Sequence, residues 1–212
     1  MAIWSAWFPD VLPKVAGCPV PVVEHELRRA AQEFFEESRA WQVPAADADV
    51  VADTAEVTIV STNSEHELVR VEMVWHDGKP LDPVTVEELD AQFVDDWRTH
   101  TGTPSKFLQL TPGVIQLYPV PTVGITDGIT ARISVRPSDT STGIPDEYRV
   151  KYRKAMMDGS LAALMLYPGK PWTAPDLASA HSAKFQDAID RANYDAAQGF
   201  GKARIASRPK WC

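Results

Sequence analysis

Cysteine is nearly absent: Cys18 and Cys212 are the only two in 212 residues, and they sit at opposite ends. Two thiols make neither a disulfide framework nor a metal knuckle, and free thiols in a reducing compartment is the plain reading. Long apolar runs are missing too. The longest, Leu161 to Tyr167, falls far short of the roughly 20 residues that a membrane-crossing helix requires. The N-terminus carries Trp4, Trp7 and Phe8 but no basic start and no long apolar stretch, which reads as no secretory signal. Positive charge is also in deficit, with 29 acids against 21 bases and a net of −8. An acidic body argues against wrapping nucleic acid, which needs a basic footprint.

Catalytic signatures are equally sparse. The glycines are scattered at turns, giving no P-loop and no dinucleotide fingerprint, and there is no G-x-S-x-G elbow. His25-Glu26 and His66-Glu67 begin like a zinc-protease motif, but Arg29 and Arg70 stand where the second histidine ligand belongs. His76, His100 and His181 share no metal-ligand spacing. His181 lies on an apolar helical stripe and reads as a core-edge histidine with a hydrogen-bond partner. The carboxylate pairs Glu87-Glu88 and Asp95-Asp96 fall on the polar side of a helix, where solvation is the default. Seven tryptophans with no ring of acids or basic groove beside them point to packing and interfaces. The expectation is a protein that is not an enzyme and uses no cofactor or metal.

What is present is periodicity. Over Val22–Trp41, Val23, Leu27, Ala30, Ala31, Phe34, Phe35, Ser38 and Trp41 share one helical face, with charges filling the other. A second helical region runs from Gly143 to Gly199 as two helices joined by Tyr167-Pro168-Gly169-Lys170-Pro171-Trp172. Pro145 suits a first-turn position, followed by Asp146 and Glu147 at the positive end of the helix dipole. Tyr148, Tyr152, Ala155, Met156, Gly159, Ala162, Ala163 and Leu166 recur at helical spacing, and Ala178, His181, Phe185, Ala188, Ile189, Ala192 and Ala196 form the next stripe. Thr173 is the expected cap of that last helix and Gly199 its stop.

The segments between differ in period. Met1 to Pro21 is dotted with prolines and aromatics and is expected to lie extended over a core, anchored by its rings. Residues 45–54 read as a polar crossing segment. From Ala55 to Pro137 apolar residues alternate, broken by the turn pairs Asp77-Gly78, Pro112-Gly113 and Asp127-Gly128. Within that block Thr85 and Glu88 form a capping box ahead of Leu89, Phe93 and Trp97. The fold class is therefore α+β. An α-helical bundle is formed by N- and C-terminal helices (1–54 and 138–199), with an antiparallel β-sandwich-like block inserted at 55–137 and a basic arm at 200–212.

Charge divides the same way: residues 1–144 hold 22 acids and 10 bases, and residues 145–212 hold 7 acids and 11 bases. The last thirteen residues contain Lys202, Arg204, Arg208 and Lys210 and no acid. Lys202, Arg204, Ile205, Arg208, Pro209, Lys210 and Trp211 have the composition of a docking segment, with charge for steering and one tryptophan as anchor. A solvated end is the alternative.

Taken together, several stretches resemble the head-to-tail adaptor proteins of tailed bacteriophages, the tail tubular protein A or gatekeeper family of short-tailed phages. They are Phe8-Pro9-Asp10-Val11-Leu12-Pro13-Lys14-Val15, then Gly17-Cys18-Pro19 and Phe34-Phe35-Glu36-Glu37-Ser38 with Trp41. Leu81-Asp82-Pro83, Glu88-Leu89-Asp90, Trp97 and Gly102-Thr103-Pro104 follow in the middle. The most specific are Ile144-Pro145-Asp146, Asp158-Gly159-Ser160-Leu161-Ala162-Ala163-Leu164 and Pro168-Gly169-Lys170-Pro171-Trp172, then Phe185 and Arg191. The resemblance implies a structural virion protein at the head-tail junction, assembled in the host cytoplasm as a homo-oligomeric ring, typically a dodecamer. Its implied partners are the portal protein, the tail nozzle or next neck protein, and further copies of itself. DNA would pass through the channel at genome ejection without sequence-specific binding, and no membrane is involved. An acidic channel lining would repel phosphates and let the genome slide. Another neck component, a stopper or tail-completion protein, is the alternative; the resemblance carries over no catalytic residue.

Overall fold

The computed structural model describes residues 2–93 and 96–198. The basic arm, with Lys202, Arg204, Ile205, Arg208, Pro209, Lys210 and Trp211, lies outside the described residues, as do Gly199 and Asp95. The chain divides into two compact units, one built from residues up to Trp41 together with those from Arg136 onward, the other from Gln42–Val135.

The helical unit begins differently from expectation. Ala2–Ile3 is a strand, pairing antiparallel with Gly143–Ile144, but Trp4–Trp7 and Leu12–Lys14 are 3-10 turns, and Phe8–Val11 is a short helix, α1. The prolines permit this because Pro9 and Pro13 occupy first-turn positions, where a missing N–H costs no intrahelical bond. The rings do anchor the segment. Trp4 and Trp7 are buried, and their indole N–H groups donate to the Ser141 carbonyl (2.8 Å) and the Arg153 carbonyl (3.2 Å). At Gly143 any Cβ would collide with the Ala2 carbonyl, so this pairing depends on glycine.

Helix α2, Val20–Ser38, buries the stripe that its sequence pattern marks and stops at Arg39, which takes a left-handed φ of 52°. Its interior face meets helix α4, Asp146–Leu164, and helix α5, Pro175–Gln198, in a three-helix arrangement. The Phe34 ring lies tilted at 4.7 Å from Tyr152 and 6.1 Å from Phe185, while Phe35 contacts Trp41, Tyr148 and Tyr152. Each fully buried ring or leucine in this cluster contributes roughly 1.5–3 kcal/mol of transfer free energy. The α4–α5 link turns at Gly169 (φ 67°), and Thr173 stabilises it, accepting from the Lys170 N–H at 3.0 Å and donating to the Tyr167 carbonyl. Thr173 thus braces the link.

In the other unit the long strand Ile125–Pro137 lies between Gln42–Pro44 on one side and His66–His76 on the other, with Lys79–Pro80 beyond. Ala48–Val50 also pairs with the long strand. Within residues 42–54, expected as part of the helical region with a polar crossing at 45–54, Gln42–Pro44 and Ala48–Val50 are thus strands. The segment's Ala/Asp-rich composition favours no strand, and pairing such as Ile133↔Val43 overrides it. A second sheet runs Glu56–Thr58, Val114–Tyr118, Lys106–Thr111, Asp82–Pro83. Most pairings are antiparallel, but Asp82–Pro83 with Lys106–Thr111 and Val120–Pro121 with Thr101–Gly102 are parallel. Helix α3, Val86–Gln92, has the capping box in full, yet it ends before Phe93; Trp97 sits in a separate turn and donates to Asp90 at 2.7 Å. Leu89, Trp97, Leu108 and Tyr118 close a small core there.

Candidate functional site

Two clefts of opposite charge mark the surface of the helical unit. The first follows the outer face of α2. Glu26, Arg29, Glu33, Glu36 and Glu37 recur at three- and four-residue spacing, which brings them to one side of the helix. Arg136 faces them, and Gly159 and Ala163 of α4 form the floor of a cleft of about 450 Å³. The four carboxylates outnumber the two guanidinium groups. Glu36 pairs with Arg136. Glu26 is 2 % exposed, and it accepts the Tyr167 hydroxyl at 2.8 Å while Arg29 approaches at 3.7 Å. That buried charge is hydrogen-bonded and therefore structural in character. Glu33 is different: it has no ion pair among the described residues. Burial, then the neighbouring Glu37 and Glu36, push its carboxyl above the usual range, with Arg29 opposing.

The second cleft, about 340 Å³, runs between α4 and α5. Lys151 and Lys154 come from α4, Lys184 and Arg191 from α5, with Asp158, Asp187 and Asp195 among them, so bases exceed acids by one, and Tyr152, Ala155, Ala188 and Ala192 supply a largely small-residue floor. Lys151 is held by Asp195 at 3.3 Å, and Asp158 pairs with His181 at 2.8 Å. Burial opposes the Lys151 charge, but hydrogen bonds to Tyr152 and Asp195 outweigh it and raise its pKa. Lys154, Lys184 and Arg191 are exposed and have no ion-pair partner among the described residues. His181 is the core-edge histidine that its stripe implies, and Asp158 is its partner.

Among the described residues no group of three His, Cys, Asp or Glu side chains is placed to hold a metal ion. Trp4, Trp7, Trp41 and Trp97 are spent on internal packing. No described helix is long and apolar enough to cross a membrane. The clefts were not readable in the sequence as sites. The acids of α2 look there like an ordinary solvated face, and Lys154, Lys184 and Arg191 are brought together only by the α4–α5 turn.

A model of the SU10 adaptor protein family matches residues 19–207, a span that takes in all of Gln42–Val135 and most of the helical unit. No curated protein matches the chain. The matched span holds α2, the sheets, the helical hairpin and both charged clefts, and the chain therefore belongs to the SU10 adaptor protein family, the head-to-tail adaptors of phages.

Proposed function

We propose that this chain is the repeating subunit of a ring, dodecameric as in the short-tailed phage proteins it resembles, seated between portal and tail with the genome passing through it. The family match over residues 19–207 carries this reading. Two further features favour it. Residues 1–144 carry 22 acids and 10 bases, a balance that would repel DNA phosphates from a channel wall. The segment 200–212, with Lys202, Arg204, Arg208, Lys210 and Trp211, serves as an arm that docks on a neighbouring virion protein. In this reading the bundle and the β insertion are scaffold, and virion assembly is the protein's whole task.

The test is assembly with the portal protein of the same phage, followed by mass measurement and negative-stain imaging. A ring stacked on the portal is the expected product. Attachment that survives deletion of 200–212 unchanged removes the arm from the account. Binding only to a preformed portal–adaptor complex would instead mark a stopper or tail-completion protein further along the neck.

A further inference from the structure

From the two clefts of the helical unit we infer that copies of this chain join head to tail through charge complementarity, Glu33, Glu36 and Glu37 of one copy facing Lys154, Lys184 and Arg191 of the next. The inference deepens the ring reading and rests on it, since it names the surfaces that would meet.

Each cleft is electrostatically incomplete in the single chain. Glu33 and Glu37 are four residues apart on α2, a like-charge spacing that destabilises a helix. Neither has an ion pair among the described residues, and Glu37 accepts only from Gln186, at 3.4 Å. A cation arriving from outside relieves that repulsion. On the other cleft Lys154, Lys184 and Arg191 converge from two helices; of the three carboxylates in its lining, Asp158 and Asp195 are engaged with His181 and Lys151, and Asp187 forms no ion pair among the described residues, so the four bases stay one ahead of the acids. The floors suit close approach, because alanines and Gly159 project little above the backbone. The two surfaces are different patches of one chain. Joining one to the other is heterologous, and such contacts propagate into rings or open filaments, whereas a single self-complementary patch stops at a dimer.

The experiment mixes full-length chain in two isotopic forms, alone over a concentration series and with portal protein, and couples carboxylates to lysines with a zero-length carbodiimide. Mass spectrometry of mixed-isotope peptides separates contacts between copies from contacts within one. Joins from Glu33, Glu36 or Glu37 to Lys154 or Lys184 are expected between copies. In parallel, Glu33→Lys with Glu37→Lys, or Lys184→Glu with Arg191→Glu, is expected to weaken association at least tenfold, and the fourfold variant that swaps both clefts to regain it. Unchanged far-UV circular dichroism checks that each variant folds. Rings whose joins lie elsewhere and ignore the reversals overturn this inference while leaving the ring reading intact. A closed symmetric dimer, or chains that never associate with or without portal, overturns it as well, and the latter removes the ring too.

Discussion

Alanine at position 159 sets two measurable effects against each other. In the interior of a helix, replacing glycine by alanine ordinarily stabilises by about 0.8–1.0 kcal/mol, because glycine gives up more backbone freedom on folding. Gly159 lies well inside α4 and offers that gain on paper. The fold opposes it. A Cβ there would come within 2.8–2.9 Å of three atoms of the Phe185 ring, and that ring is 5 % exposed and packed at 6.1 Å from Phe34. An aromatic ring cannot bend away, so α4 and α5 must separate or Phe185 must leave its rotamer. Overpacking of this kind costs about 1–3 kcal/mol. The balance is a net loss of about 1 kcal/mol, which for a chain of this length lowers the melting temperature by about 2–4 °C. Urea unfolding followed at 222 nm, where the helical unit dominates the signal, measures it. In a Phe185→Leu background the clash is relaxed, and Gly159→Ala is expected to recover its helix-propensity gain, giving a coupling of at least about 1 kcal/mol. If alanine instead stabilises by about 1 kcal/mol in both backgrounds, the close approach of α4 and α5 at this point is wrong.

Three other outcomes follow from the charged and buried groups. Tyr167→Phe removes the only side-chain hydroxyl that donates to Glu26 among the described contacts, leaving a buried carboxylate short of a donor, and should cost about 1.5–3 kcal/mol in urea unfolding. Glu33→Gln should stabilise by about 0.2–0.5 kcal/mol at pH 7, since it ends a like-charge pair four residues apart. Because the Glu33 carboxyl is raised in the folded chain, the charge penalty sets in as pH rises through that higher pKa. The gain should therefore vanish below about pH 4, where the carboxyl is protonated in both states, and a difference that persists there contradicts the assignment. Burial, with smaller contributions from Glu147 and Tyr152, pushes the Tyr148 phenol up to about 12; burial also raises Tyr118, and the hydrogen bond to Glu26, then burial, raises Tyr167. The protonated phenols favour the fold below the ordinary tyrosine value, and that stabilisation is lost as pH climbs through the raised values. Absorbance at 295 nm should show the folded chain lagging its denatured form between pH 10 and 12; coincident curves with secondary structure intact would count against this burial.

The parts of the fold that could be read from sequence are those where local signals and tertiary contacts agree. The α2 stripe is one, because Leu27, Phe34 and Phe35 repeat at helical spacing and meet partners along their whole length. The Asp77-Gly78 turn is another: Asp77 (φ 48°) and Gly78 (φ 72°) take the left-handed angles that suit those residue types. The misreadings arise where the two diverge. Pro9 and Pro13 suggest an extended run, yet proline at a first turn is compatible with helix, and burial of Trp4 and Trp7 decides the matter. Leu166 continues the α4 stripe in sequence but is 60 % exposed, because the helix ends at Leu164. Conversely Asp158 and Ser160 are buried against the rule for their types, since His181 and the Met157 carbonyl satisfy them. The clefts lay beyond local reading altogether, for they are assembled across α2, α4 and α5.

The pairing of Gln42–Pro44 with the far end of the long strand also bears on how the protein is made. Roughly 150 residues separate Phe34 from Phe185, its partner on α5, so at about 5–20 residues per second Phe34 waits about 8–30 s for that partner. Meanwhile the intervening sheets are synthesised in full. Once Gln42, Val43 and Pro44 have zipped onto Ser134, Ile133 and Arg132, the chain enters and leaves those sheets at neighbouring points. A detour of some ninety residues then behaves as a short turn, removing about 3 kcal/mol of loop-closure cost from the docking of α4 and α5 onto α2. Fastened before α4 and α5 dock, the inserted sheets would act as a clasp that brings the two halves of the helical unit within reach of each other.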